Sequence, residues 1–345
     1  MAAMSTVSLR FDPAAVNIGT TDLRTGLSAI ALDGDTLWLA CDEGCRLERL
    51  SKQDDGSFAS HAPVSLGSLL TLPASATEEA DIEGMDVSDG WLWIVGSHSV
   101  KRRSAKPLDD AVTVAEKLAQ TGRDGNRHLL ARIPLAGTDV RRTHGKRRAA
   151  SIDTRPKSSA LLRAIKRGRD GDGDPHLAPF VPVPGKDNGF DIEGLAVNGE
   201  RVFIGLRGPV LRGWACVLEV HPVDAGDHLD LEPVHKQLPY RKHFLNLGGL
   251  GIRDLLVLGD DLLMLAGPTM ALDGDCAIWR WKRGAVGGAP SGVTHLRTLP
   301  THDTANRAEG FTDLPDGKSV MVVYDTPHAD RLVGNDTVLA DVFPI

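Results

Sequence analysis

The stretch "DIEGMDVSDGWLWIVGSHS", which begins at Asp81, recurs without a gap as "DIEGLAVNGERVFIGLRGP", which begins at Asp191. Each copy has an acidic pair, a glycine, an alternating apolar run, a turn and a second apolar run. Alternation with a period of two, broken by a Gly- or Asp-containing turn, spells a β-hairpin. "GLSAIALDGDTLWLACDEG" from Gly26 and "GIRDLLVLGDDLLMLAGPT" from Gly251 follow the same template. "RAEGFTDLPDGKSVMVVYDTP" from Arg307 does so with a turn two residues longer. Further strand-like runs follow the hairpins, such as "CRLERLSK" from Cys45 and "WACVLEVHP" from Trp214. A small antiparallel sheet cannot bury both faces alone, so repeated sheets must stack around an axis. The reading is all-β: one β-propeller over residues 1–345, five blades by repeat count, with six as the alternative. "STVSLRF" near the start is placed to complete the last blade beside "TVLADVFPI". Leu37, Leu92, Val202, Leu263 and Val320 are expected at equivalent positions on second strands.

Two segments interrupt the spacing, at about 104–127 and 137–189. Each contains a predicted helix, in "DDAVTVAEKLAQ" and in "SSALLRAIKRG". Residues 139–170 hold eleven Lys or Arg against three Asp. Such a charge run reads first as a solvated, partly mobile loop, and second as a cationic lid or docking surface for an anionic partner. The chain as a whole carries a net charge of −7, which gives it no electrostatic reason to bind nucleic acid. No apolar run reaches the roughly 20 residues of a membrane helix. The start shows no basic region followed by an apolar stretch, so no signal peptide is expected. Cys41, Cys45, Cys216 and Cys276 are read as reduced core thiols of a cytoplasmic protein. A zinc site on "CDEGC" lacks a second Cys or His pair.

The hairpin repeat also points to one place. In each copy the acidic step precedes the first strand, and "GSHS" or "GLRGP" follows the second. An antiparallel hairpin brings those two ends to the same edge. Asp81, Glu83, Asp191, Glu193 and Glu309 should therefore gather at one mouth of the central channel. His98, Arg207 and Asp325 should stand just outside, Arg253 and Asp254 are offered by the fourth repeat, and Ser28, with Asp42 and Glu43 at the outer edge, by the first. Clustered carboxylates must be relieved by a cation, by arginine or by protonation. A structural reading has Arg207 and Arg253 neutralise the acids while other carboxylates cap backbone N–H groups. A metal reading has Glu83, Glu193 and Glu309 hold Ca²⁺ or Mg²⁺ through hard oxygen ligands. A catalytic reading adds His98 as proton shuttle and Arg207 and Arg253 as holders of negative charge, with Asp81, Asp191 and Asp325 on substrate. "GSHS" lacks the strand-to-helix setting of a nucleophile elbow, and "GGLGIRD" lacks the end of a phosphate loop, so no nucleotide cofactor is expected.

"EADIEG", "WIVGSHS", "FDIEGLA", "IGLRGP", "LNLGGLGIRDL", "LAGP" and "IWRW" together resemble the bacterial β-propeller family catalogued as domain of unknown function 3616. The resemblance covers nearly the whole chain and implies the propeller fold without an activity. The acidic "EG" steps are more distantly similar to those of calcium-dependent propeller hydrolases (gluconolactonase and paraoxonase-like enzymes) and phytase-like propellers. The complete ligand sets of those enzymes are not reproduced. The working expectation is a small-molecule-binding propeller acting as a divalent-metal-dependent hydrolase on an anionic or carbonyl substrate: a lactone, ester or phosphoester. The rival is a non-catalytic propeller that binds a protein or peptide through the basic insertion.

Overall fold

The computed structural model describes residues 5–155, 158–300 and 305–345. Each hairpin of the repeat opens a four-stranded antiparallel sheet. The first holds Leu27–Asp33, Thr36–Cys41, Arg46–Lys52 and Phe58–Ser65. The second holds Ile82–Ser88, Trp91–Gly96, Leu130–Ala136 and Asp139–Val140. The third holds Asp191–Asn198, Arg201–Leu211, Trp214–Val220 and Arg241–Asn246. Gly251–Leu258, Asp261–Gly267, Ala277–Trp281 and Val293–Thr298 make the fourth. The fifth is built from both ends of the chain: Arg307–Asp313, Ser319–Asp325 and Thr337–Pro344, with Ser5–Arg10 paired antiparallel to the last. The expected closure of the ring by "STVSLRF" is thus observed. Inner strands contact one another in order around the ring, the fifth returning to the first.

Apolar residues fill the wedges between sheets. Trp38 and Leu47 meet Met85 and Leu92 between the first and second sheets, and Phe203 and Val217 meet Leu255 and Met264 between the third and fourth. Leu37, Leu92, Val202 and Val320 each face the preceding sheet. In the fourth sheet that role falls to Leu262, opposite Val257, as Leu37 lies opposite Leu32. Leu263 faces the following sheet instead. The expectation for Leu263 was one residue out of register, and on a strand one residue reverses the face.

The basic insertion departs from the loop reading. Its helix, Ala160–Arg167, starts at Ser159, whose hydroxyl accepts from the Leu162 N–H at 3.2 Å. Gly168 ends it with φ +62°. Leu161, Leu162 and Ile165 are fully buried, packed with Leu177, Val181 and Phe190 into the wedge between the second and third sheets. Arg163, Lys166 and Arg167 lie outside that buried set, Arg163 bonded to Asp153 at 2.7 Å. Counting charge hid a strongly amphipathic helix, whose apolar stripe has the i, i+1, i+4 spacing of a core-facing face. The first insertion behaves otherwise. Lys101–Arg102 pairs with Thr121–Gly122, and the intervening helix, Ala111–Ala119, buries none of its residues.

Candidate functional site

The "EG" step has a structural cause. In all five sheets the pairing of the first two strands slips by one residue at the same place, leaving a bulge. The bulged residues are Ser28, Glu83, Glu193, Arg253 and Glu309. A bulge re-aims a side chain that would otherwise alternate away. The glycine after it permits close approach: a Cβ on Gly84 would lie 2.8 Å from the Leu195 backbone nitrogen, and one on Gly194 3.0 Å from the Asp254 backbone. Glu and Gly of the repeat are thus tied to one backbone device.

The bulges open into a cavity of about 480 Å³ at one mouth of the channel. Asp81, Glu83, Asp191, Glu193, Arg207, Glu309 and Asp325 all line it, with Ser28 and Asp42 from the first sheet. This convergence is the one expected from the repeat. Arg253 is buried beneath, where it bonds both carboxylate oxygens of Glu309 and stands 3.2 Å from Glu193. Arg207 bonds Asp191 and Glu193. One side of the mouth therefore carries two guanidinium groups among three buried acids. Burial, only partly offset by Arg207 and Arg253, pushes Glu193 up to about 8.

The other side is acidic with little relief. Asp81 pairs with Arg127 at 2.5 Å. Glu83 makes no hydrogen bond or ion pair among the described residues. Burial, with Asp81, Glu193 and Asp42 nearby, raises it well above the usual carboxylate range. Asp42 is pushed up to about 7 by burial and then by Asp81 and Asp325. Burial, then Glu309, raises Asp325.

His98 is not brought to this site. It ends its strand with φ +57° and is 1% exposed, with Nδ1–H donating to the Gly96 carbonyl at 2.9 Å. Its ring lies 5.7 Å from that of His128 rather than beside the cavity acids. Burial first, then His128, lowers it to about 3, which leaves it neutral at pH 7. A left-handed residue at the strand end turns the imidazole back under its own backbone, which removes the shuttle role expected for it.

Nor do the residues fit the shared-ion arrangement expected of Glu83, Glu193 and Glu309. Carboxylates that share calcium or magnesium need free oxygen lone pairs. Here the Arg253 guanidinium stands between Glu193 and Glu309. Among the described residues, no three His, Cys, Asp or Glu side chains are arranged to hold a metal ion. The expected capping of backbone groups by carboxylates occurs deeper in the channel. There Asp86 accepts from the Val197 N–H at 2.6 Å and Asp254 from the Phe311 N–H at 3.0 Å, each bridging adjoining sheets.

Arg127 is the site residue that repeat reasoning missed. Its guanidinium bonds Ser99 at 3.0 Å and Ser97 at 3.2 Å beside Asp81. It arrives from the end of the first insertion, which has no counterpart in the other sheets. The only signal was its position in "GNRHLL", immediately before a strand.

The acids make stability depend on pH in a definite direction. Asp42 and Asp86 titrate at about 7 and Glu193 at about 8 in the fold, against about 4 for free carboxylates. The folded state holds the extra protons, so their contribution is full below pH 4 and is lost as pH rises through 7 to 8. His98 and His128 are lowered to about 3 and about 4, chiefly by burial, and act oppositely. Their contribution is full above 6.5 and is lost as pH falls towards 4. Above pH 6.5 the histidines contribute no further change and the acids alone act, so the melting temperature is expected to fall as pH rises from 6.5 towards 9. A melting temperature still rising from pH 6.5 to 9 would contradict this charge assignment.

Among the described residues, no helix is long and apolar enough to cross a membrane. All four cysteines are buried free thiols.

Searches of curated proteins return no match to this chain. Among solved structures, the chain is similar to one from Thermus thermophilus named as an oxidoreductase (glucose dehydrogenase). The identity is 15%, the TM-score 0.41, and 99% of this chain and 100% of that one are covered. The PQQ-bound aldose sugar dehydrogenase from Streptomyces coelicolor is 12% identical, with TM-score 0.39 and 98% of each chain covered. A structure named for 6-phosphogluconolactonase, from Bacteroides uniformis, is 13% identical with TM-score 0.35. The match covers 85% of this chain and 62% of that one, so this chain spans less than two thirds of its length. Likeness at this level carries no statement about activity. The family model described as "Protein of unknown function (DUF3616)" matches residues 26–341, almost the entire length, and the chain belongs to that family.

Proposed function

We propose that the channel-mouth cavity binds a neutral, hydroxyl-rich carbonyl compound and hydrolyses an ester or lactone bond in it. The observation that carries this reading is the pair Asp42 and Glu83 on one cavity wall, both raised and Glu83 without a partner among the described residues. A carboxyl that titrates at about 7 serves as base or acid at neutral pH, where general acid–base catalysis is most effective. In this scheme Asp42, ionised, takes a proton from the attacking water. Glu83, protonated, gives one to the departing alkoxide as the acyl C–O bond breaks, so a carboxylic acid and an alcohol result. The guanidinium groups of Arg127 and Arg207 supply positive charge for the oxyanion that forms between the two steps. A phosphoester is disfavoured, because the wall carrying Asp42, Glu83, Asp81 and Asp325 would repel its charge. The hydroxyl-rich substrate class follows from the same wall, since the carboxyl oxygens of Asp42, Glu83 and Asp325, which no arginine or lysine engages among the described residues, accept O–H hydrogen bonds.

The test is a pH-indicator assay of a panel of aldonolactones, simple lactones and short esters. Asp42→Asn and Glu83→Gln are each expected to lower kcat/KM by about 10²–10⁴-fold. Asp33→Asn, at the opposite mouth, should leave it unchanged. Glu83→Gln should at the same time raise the melting temperature above pH 7, since it removes a buried acid whose proton the fold retains at increasing cost as pH rises. A panel in which wild type hydrolyses nothing, or in which both variants match wild type, would sink the proposal.

A further inference from the structure

A second cleft, of about 730 Å³, opens on the outer side of the segment that carries Arg127. Arg127 faces the channel mouth, whereas Arg123 and His128 of the same segment line this cleft. Its far wall comes from the second insertion, through Arg148 and Ile152, and its floor includes Leu72 and Pro73.

The charges in it are unequally matched. Three acids line the cleft and each is already engaged. Asp124 is held by Lys101 at 2.7 Å, Asp153 by Arg163 at 2.7 Å and Arg155 at 2.8 Å, and Asp227 by His228 at 2.8 Å. Two arginines are not engaged by any acid among the described residues. Arg123 bonds only the backbone carbonyl of Val181, and the Arg148 side chain makes no hydrogen bond or ion pair among the described residues. His128 adds a polar group without a partner. It is 4% exposed, Nε2 is enclosed and unbonded, and Nδ1 has no hydrogen bond among the described residues either. Since only Nε2 is enclosed, Nδ1 is the nitrogen that the cleft reaches. Two guanidinium groups with free donors, an imidazole without a partner and an apolar floor form a complementary surface for an anion carried on an organic body.

We propose that this cleft is a binding site for a phosphate monoester, with Arg123 and Arg148 on the phosphate oxygens, His128 as a neutral hydrogen-bonding partner, and Leu72, Pro73 and Ile152 against the organic group. Two unpaired guanidinium groups match a dianion better than a monocarboxylate. The proposal stands apart from the hydrolase reading, because no residue of the channel-mouth wall takes part in it.

The test uses phenyl phosphate and inorganic phosphate as probes, followed by thermal shift and by isothermal titration at constant ionic strength. Phenyl phosphate should stabilise the protein saturably, as a ligand of the folded form must. Inorganic phosphate should bind more weakly and phenol not at all. Arg123→Gln and Arg148→Gln change exposed residues and should fold normally. Each should weaken phenyl phosphate by about tenfold or more, the usual worth of a charge-assisted bond. Lactone hydrolysis should be unaffected in both, so failure here is distinguishable from failure of the channel-mouth reading. Non-saturating shifts, shifts reproduced by sodium chloride at equal ionic strength, or equal binding to the double variant would overturn the proposal.

Discussion

Replacing Arg253 by methionine is expected to cost about 3–5 kcal/mol of folding stability near pH 8, the usual penalty for removing one member of a buried ion cluster. Arg253 is 5% exposed and is bonded to both oxygens of Glu309, with Glu193 at 3.2 Å. Methionine fills much of the same volume, so the loss reports charge rather than a cavity. Glu309 would then lose its counterion beside Glu193, which keeps only Arg207, and burial would favour proton uptake by the pair. The deficit should accordingly shrink at pH 5, where protonation relieves the repulsion. Urea unfolding of wild type and Arg253→Met at the two pH values measures both effects. A loss below about 1 kcal/mol at pH 8 would mean that the acids are compensated by something other than Arg253. Glu309→Gln in the same background should recover part of the stability, since it removes one of the stranded charges.

A larger loss is expected from the second insertion. Replacing residues 158–170 by a Gly-Ser linker should leave no cooperatively folded protein, as read by a thermal or urea transition. Leu161, Leu162 and Ile165 are each fully enclosed and each touches the core between the second and third sheets. Truncating one such side chain costs about 2–5 kcal/mol, and whole domains are stable by only about 5–15 kcal/mol. Removing three at once consumes most of that margin. The single change Leu162→Ala keeps the test informative if the linker variant does not express. It should lower stability by about 2–5 kcal/mol, whereas Arg167→Ala on the same helix should change it by less than about 0.5 kcal/mol. A linker variant that unfolds as wild type does would restore the solvated-loop reading.

The hairpin repeat was legible because strand alternation and turn glycines are local: each residue's face follows from its neighbours in the chain. Ring closure by the two chain ends was legible too, as "STVSLRF" and "TVLADVFPI" both alternate and the last repeat needed strands to complete it. The gathering of Glu83, Glu193 and Glu309 followed from symmetry, since equivalent residues of stacked sheets must meet near their common axis. The one-residue error at Leu263 shows how narrow that inference is, because a repeat must be aligned to the residue before a face can be assigned.

What the sequence did not carry is pairing across the ring. The composition of the "EG" steps could not say which acid meets which cation. That depends on side chains from different repeats converging to hydrogen-bonding distance. Arg253 lies sixty residues from Glu193 in the chain, yet it is the group that relieves Glu193 and Glu309 together. His98 was placed by its position after a strand, but one left-handed φ turned it under its own backbone and away from the mouth. Arg127 entered from an insertion with no repeat to predict it. The basic segment was judged by charge alone, and only its packing against Phe190 and Leu177 revealed the apolar face. The repeat, through local alternation, determined the sheets and the axis. Charge pairing, the exclusion of His98 and the burial of the insertion were decided by contacts between residues far apart in the chain, and no local pattern encodes those.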